Sequence, residues 1–220
     1  MPSNGNPRTK SCPVIVPQIT QADQYFVCLA NVVQRLDTDR VDEISKVLLD
    51  AYEDDRQVFL FGNGGSASLA SHFACDLGKG TTLRTSQAKR FRAIALTDNI
   101  PMMTAWANDS SYEDIFAEQM RNLIQQGDVA LAISASGNSP NVLRALECAR
   151  EAGGYRVGLT GFQGGKMRKL CDLCLVVPSD NMQLIEDVHL SVAHALYTTI
   201  RCQLETRLPH KEAKLAVGAR

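Results

Sequence analysis

Two helical segments carry the residue types that proton transfer and metal binding require. His72 and Asp76 lie four apart in SASLASHFACDL, so both project from one helix face. Glu186 and His194 lie eight apart in LIEDVHLSVAHAL and also share a face, with Asp187 and His189 on neighbouring ones. An imidazole and a carboxylate placed across a bound molecule can act as acid and base. Two histidines and two carboxylates can also hold a zinc-like divalent ion, provided the helices converge. A His/Asp pair at this spacing is commonly just a surface pair, so either chemistry depends on that convergence.

Two loops offer an anion site. Gly62-Asn63-Gly64-Gly65-Ser66-Ala67-Ser68 follows the apolar run QVFLF and opens a helix, where successive N–H groups and the helix dipole favour a phosphate. No Gly-Lys-Ser/Thr follows, so it is not a Walker loop. It fits the dinucleotide fingerprint G-x-G-x-x-A, but that pattern wants an acid roughly 20 positions on, and Asp98 lies much further along. Ser134-Ala135-Ser136-Gly137-Asn138-Ser139-Pro140 follows a second apolar run and again precedes a helix. A helix cap followed by proline explains Ser139. It leaves Ser134, Ser136 and Gly137 unexplained, and an oxyanion cradle built from hydroxyls and main-chain amides accounts for all of them.

These loops need a scaffold, and the hydrophobic pattern supplies one. Short apolar runs at 57–61, 91–96, 128–133, 155–159 and 173–177 alternate with helical text at 66–77, 141–152, 166–170 and 183–204. Runs buried on both faces and separated by helices predict a parallel sheet in a three-layer αβα sandwich, five-stranded and flavodoxin-like. Ligands of such sheets sit beyond the carboxyl ends of the strands, where chain order switches direction. Before the sheet, Phe26, Leu29, Ala30, Val33 and Leu36 predict one amphipathic helix. Ile44, Val47, Leu48 and Ala51 predict a second, after a break near 37–39. Residues 1–17 read as a flexible arm, 18–206 as one domain including these helices, and 207–220 as a flexible tail.

The chain has 220 residues, 45% hydrophobic and 21% charged, so it can bury a core without staples. Its 23 basic and 24 acidic residues exclude the basic lean of a general nucleic-acid or membrane-surface binder. No apolar run approaches the roughly 18–20 residues of a bilayer span. The start, MPSNGNPRTKSCPVIVP, lacks a signal-peptide core, and seven scattered cysteines suit a reducing cytoplasm. Cys171-Asp172-Leu173-Cys174 leads into a strand rather than opening a helix and reads as packing. Cys75 and Trp106 read as packing too, and Lys89–Arg92 as a solvated strand entry. His189 is either a satisfied interior histidine or a support for its neighbours.

FGNGGSASLASHF, ISASGNSPNV and LTGFQGGKM together resemble the SIS (sugar isomerase) domain, and more narrowly the phosphoheptose isomerase family, over about residues 20–205. The resemblance implies an enzyme of carbohydrate metabolism and heptose biosynthesis. It would interconvert sedoheptulose 7-phosphate and D-glycero-D-manno-heptose 7-phosphate through an enediol, as a homotetramer with sites between subunits. It implies one zinc ion per site, held by His72, Asp76, Glu186 and His194, with Asp76 as base and His194 as acid. Substrate contacts fall to Asn63, Gly64, Gly65, Ser66, Asn108, Asp109, Ser134, Ala135, Ser136, Ser139 and Glu186. Four positions depart from the family: Asp76 stands for Glu, Glu186 for Gln, Ala135 for a frequent Thr and Gln183 for a common Asp. The alternative is a non-catalytic phosphosugar sensor or adaptor on the same fold, which would have no need of the paired His/carboxylate set.

Overall fold

A computed structural model describes residues 19–82 and 89–207. The expected arm at 1–17 and nearly all of the expected tail at 207–220 lie outside the described residues. Five parallel strands form one sheet: β1 (Gln57–Gly62), β2 (Arg92–Ala95), β3 (Val129–Ile133), β4 (Tyr155–Thr160) and β5 (Leu173–Val176), in the order β2-β1-β3-β4-β5. Because β2 and β3 flank β1 on opposite sides, the chain reverses its winding between β1 and β3. That crevice is where a ligand is expected, and both anion loops open onto it.

Alternation along the strands divides the interior in two. Val58 and Leu60, with Val129, Leu131 and Ile133, face α1 (Ala22–Gln34), α2 (Thr38–Glu53), α3 (Gly65–Cys75) and α8 (Met182–Thr206). Phe59 and Phe61, with Ala130 and Ala132, face α5 (Ala117–Arg121), α6 (Pro140–Glu151) and α7 (Met167–Leu170). The alanines on β3 let α6 pack through Val142, Ala145, Leu146 and Ala149 close to the sheet, while phenylalanines on β1 fill the remaining depth. The doubly wound architecture predicted from the apolar runs is the one observed.

Three local expectations need correction. The edge strands are not buried on both faces: β2 has Arg92 and Ile94 exposed, and β5 has Cys174 and Val176 half-buried. The predicted helix at 66–77 ends as an α-helix at Cys75 and continues as a π-helical turn, Asp76–Gly80. The apolar stripe of α1 is rotated. Tyr25, Cys28, Leu29, Val32 and Leu36 face the core, while Phe26 (65% exposed), Val27 and Val33 face outward. Apolar residues cover more than half of this helix's circumference, so spacing alone does not choose the face. In α2, by contrast, Ile44, Leu48 and Ala51 are buried as the pattern predicts.

At the opposite end of the sheet from the crevice, buried Asp128 accepts hydrogen bonds from the backbone N–H groups of Gln57 (2.9 Å) and Gln125 (2.8 Å). Asp128→Ala leaves both donors without their acceptor and is expected to lower stability by about 2–4 kcal/mol. Urea unfolding checks it; an unchanged midpoint would show that these bonds contribute nothing.

Candidate functional site

Helices α3 and α8 run side by side in the same direction. A side chain at Gly65 would lie 2.9 Å from the Glu186 carboxylate, the His72 and His194 Nε2 atoms are 3.0 Å apart, and Arg201 Nη1 donates to the Gly80 carbonyl at 3.3 Å. Seven or eight residues on one helix therefore match eight or seven on the other. The π-helical turn follows directly after His72's final turn, a local widening that recurs at functional sites.

His72, Asp76 and His194 converge. Their ligand atoms all lie within 4.8 Å of one another, and His72 Nε2 is 3.3 Å from Asp76 Oδ2. That carboxylate oxygen is buried and accepts no hydrogen bond. Two imidazole nitrogens pointing at each other, beside an orphaned carboxylate oxygen, form a donor set that suits a divalent cation such as zinc. Glu186, the fourth expected ligand, stands outside this cluster. Eight residues of helix correspond to about 12 Å of rise, so Glu186 faces the start of α3 while His194 faces its end. Its two carboxylate oxygens lie against Gly65, at the helix terminus best suited to an anion.

The serine loop is shaped as an open cradle. Ser139 occupies the cap position of α6 yet makes no capping bond; its hydroxyl lies 3.3 Å from that of Ser134. Ser136 Oγ accepts from Asn138 N–H at 3.3 Å. Gly137 has φ of +63°, and a Cβ there would lie 2.2 Å from the Gly164 carbonyl, so the loop must rest on the 161–165 turn without a side chain between them. Ala135 is buried, and its carbonyl accepts from Gly161 N–H at 2.8 Å, so its side chain faces the interior rather than a ligand.

The glycine loop is tied to the serine loop by residues that pattern reasoning missed. Asn63 and Asn141 exchange two amide hydrogen bonds, each 2.8 Å, and Tyr112 Oη donates to Asn63 Oδ1 at 3.1 Å. Asn63 therefore spends its side chain on the scaffold, leaving Gly64, Gly65 and buried Ser66 to offer backbone groups. Asn141 carried one usable signal, a polar residue at the first buried turn of α6. Asn108 donates to Asp109 at 2.7 Å at the exposed end of α4 (Ile100–Asp109). Behind this pair, Ser110, Arg144 and Ser111 hold the Asp114 carboxyl down to about 2 through their hydrogen bonds. Asp98, the one acid near a dinucleotide position, accepts from Ser71 of α3 instead.

A cavity of about 280 Å³ joins Gly65, Ser66, Ser68, His72, Glu186 and His189. A larger one, about 470 Å³, lies at the amino-terminal ends of the strands among Arg40, Asp50, Arg56 and Tyr155, away from these groups. His189 is 1% exposed. Its Nε2 lies 3.1 Å from the Thr160 carbonyl and its Nδ1 has no partner. Burial pushes its pKa down to about 4, despite the opposing bond to Thr160. Tyr25 of α1 donates to Asp187 at 2.6 Å; burial first, then that bond, raise its phenol to about 12. Cys75, expected to pack inward, is exposed, whereas Trp106 packs against the second core as expected.

Residues 24–161 match the SIS domain family model. A phosphoheptose isomerase of Aliarcobacter butzleri (strain RM4018) is 37% identical over 176 residues, covering 80% of this chain and 91% of its own. One from Bradyrhizobium sp. (strain BTAi1) is 42% identical over 161 residues, covering 73% and 80%. Among solved structures, phosphoheptose isomerase GmhA from Neisseria gonorrhoeae superposes with a TM-score of 0.75 at 30% identity, over 82% of this chain and 96% of that one.

His189 makes stability depend on pH. Its folded pKa is depressed, so the neutral form is favoured by the fold. That stabilisation is fully present above the unfolded value near 6.5 and is lost as pH falls towards about 4. Urea midpoints should drop across that window, by up to roughly 3 kcal/mol, and His189→Gln should flatten the slope. An equal slope in the variant would place the pH dependence elsewhere.

Proposed function

As a member of the SIS-domain family, in its phosphoheptose isomerase branch, the chain is an aldose–ketose isomerase, and we propose that it interconverts sedoheptulose 7-phosphate and D-glycero-D-manno-heptose 7-phosphate. The observation that carries this reading is the convergence of His72, Asp76 and His194 within 4.8 Å. His72 also lines a cavity that reaches the glycine loop.

The phosphate is received by Ser134, Ser136 and Ser139 with the amides of the serine loop, and Gly64, Gly65 and Ser66 border the same crevice. No lysine or arginine is needed, because hydroxyls and oriented N–H groups bind the dianion. Asn108 and Asp109 contact the sugar, and Glu186 accepts from one of its hydroxyls beside Gly65. Asp76 takes the proton from the carbon next to the carbonyl and returns it to the neighbouring carbon. His194 passes the second proton between the two oxygens, which completes the enediol exchange. Asp76 is one methylene shorter than the family's Glu, and its place at the start of the π-helical turn supports the required reach. His72, Asp76 and His194 would hold a divalent ion, with zinc the expected species. Such an ion, when bound, polarises the carbonyl and stabilises the enediolate charge.

Surface composition supports the homotetramer. No residue of α4 is buried, Ile100 is 66% exposed, and Phe26, Val27 and Val33 stand outward on α1. Such apolar faces suit a neighbouring subunit. No helix among the described residues is long and apolar enough to cross a membrane, and we place the enzyme in the cytoplasm.

Asp76→Asn and His194→Ala should each lower kcat/KM for sedoheptulose 7-phosphate by about 10²–10⁴-fold. Near-full turnover in either would remove the assigned catalytic pair. Chelation of the purified enzyme should abolish activity and added zinc restore it; activity that survives chelation with no metal detected by mass spectrometry would refute the metal-assisted reading.

A further inference from the structure

Between α7 and β5 the chain places two thiols against one spot on the sheet. Cys174 pairs in register with Gly158 of β4. A Cβ built at Gly158 would lie 2.8 Å from Cys171 Sγ and 3.2 Å from Cys174 Sγ, with Met167 Cε at 3.1 Å. The missing side chain is thus the space in which both sulfurs meet. Both cysteines are half-buried, whereas Cys148 is buried.

We propose that Cys171 and Cys174 form a reactive dithiol that reduces low-molecular-weight disulfides and closes into an intramolecular disulfide, fastening α7 to β5 beneath the serine loop. Sequence context alone favours packing for this Cys-x-x-Cys, because no helix N-terminus activates the first cysteine; here the partner thiol does that work for the second. The hydrogen bond from Cys171 lowers the Cys174 thiol to about 7 and raises that of Cys171, and nearby Arg168 and Arg40 favour the Cys174 thiolate.

The chemistry balances. Cys174 thiolate attacks one sulfur of RS–SR, forming Cys174–S–SR and releasing RS⁻, which takes up the proton Cys174 lost. Cys171 then attacks Cys174 Sγ, the bond to SR breaks, and the Cys171 proton goes to the second RS⁻. Two protein thiols are oxidised and one small disulfide becomes two thiols.

The link to the loop is structural. Met167 N–H donates to the Gly137 carbonyl at 3.0 Å, and Lys166 N–H donates to Asn138 Oδ1 at 3.0 Å. α7 therefore backs the turn on which the serine cradle rests, and a bond at its carboxyl end restrains that backing.

The test uses the full, reduced protein treated with oxidised glutathione and acid-quenched, followed by peptide mapping without reductant. The expected product is a 171–174 disulfide with loss of two hydrogens, and Cys171→Ser should instead hold glutathione on Cys174. Amide exchange at 136–138 should slow by at least about twofold after oxidation. Glutathione only on exposed Cys75 and Cys202, or no adduct on Cys174 in Cys171→Ser, would overturn the dithiol. A disulfide with unchanged exchange at the loop would overturn the link. Neither readout uses substrate, so both are independent of the isomerase assignment.

Discussion

The parallel, side-by-side course of α3 and α8 is the constraint from which the site follows. One helix starts at the glycine loop and the other arrives from the far end of the chain, yet their residues advance in step. Gly65 meets Glu186, His72 meets His194, and Gly80 meets Tyr197 and Arg201. Buried Leu69, Ala70 and Phe73 on one, with Ile185, Val188, Val192 and Leu196 on the other, fix that alignment through the first core. Hydrophobic packing thus sets which polar groups face one another. A slip of one turn, about 5 Å, would separate the imidazoles and leave a carboxylate in the interior with nothing to face.

The end proposed to receive the phosphate is organised differently. Side chains there spend hydrogen bonds on the scaffold: Asn63 on Asn141, Ser134 on Ser139, and Asn138 on the Ser136 carbonyl and the backbone N–H of Lys166. This bonding keeps two loops rigid without placing a fixed cation in the crevice, and it lets an anion bind and leave without breaking an ion pair.

Much of this was legible in the sequence because parallel strands are buried on both faces and so write themselves as apolar runs. The three inner strands behaved so; the edge strands β2 and β5 did not, since an edge strand shows the same letters with one face less covered. The loops were legible for a related reason: glycine and serine clusters after a strand have few other uses. The role of Asn141 was not, because it depends on an amide 78 residues away. The orientation of α1 was hidden by an excess of apolar residues around the helix. The displacement of Glu186 from the histidines is a matter of rise along a helix, which sharing a face does not report. Cys75 was misjudged for lack of a signal that separates a small apolar thiol facing inward from one facing out.

α4 has a consequence of its own. It is a ten-residue helix with no buried side chain, held by half-buried Met103, Trp106 and Ala107 and by its Asn99 cap, which accepts from Met102 N–H. So short a helix has little intrinsic stability, and local opening begins where few apolar contacts oppose it. Its last residues are Asn108 and Asp109. Warming therefore erodes the polar tip of α4 while the sheet and both loops still stand, so on the proposed assignment the sugar contacts would be lost before the phosphate cradle.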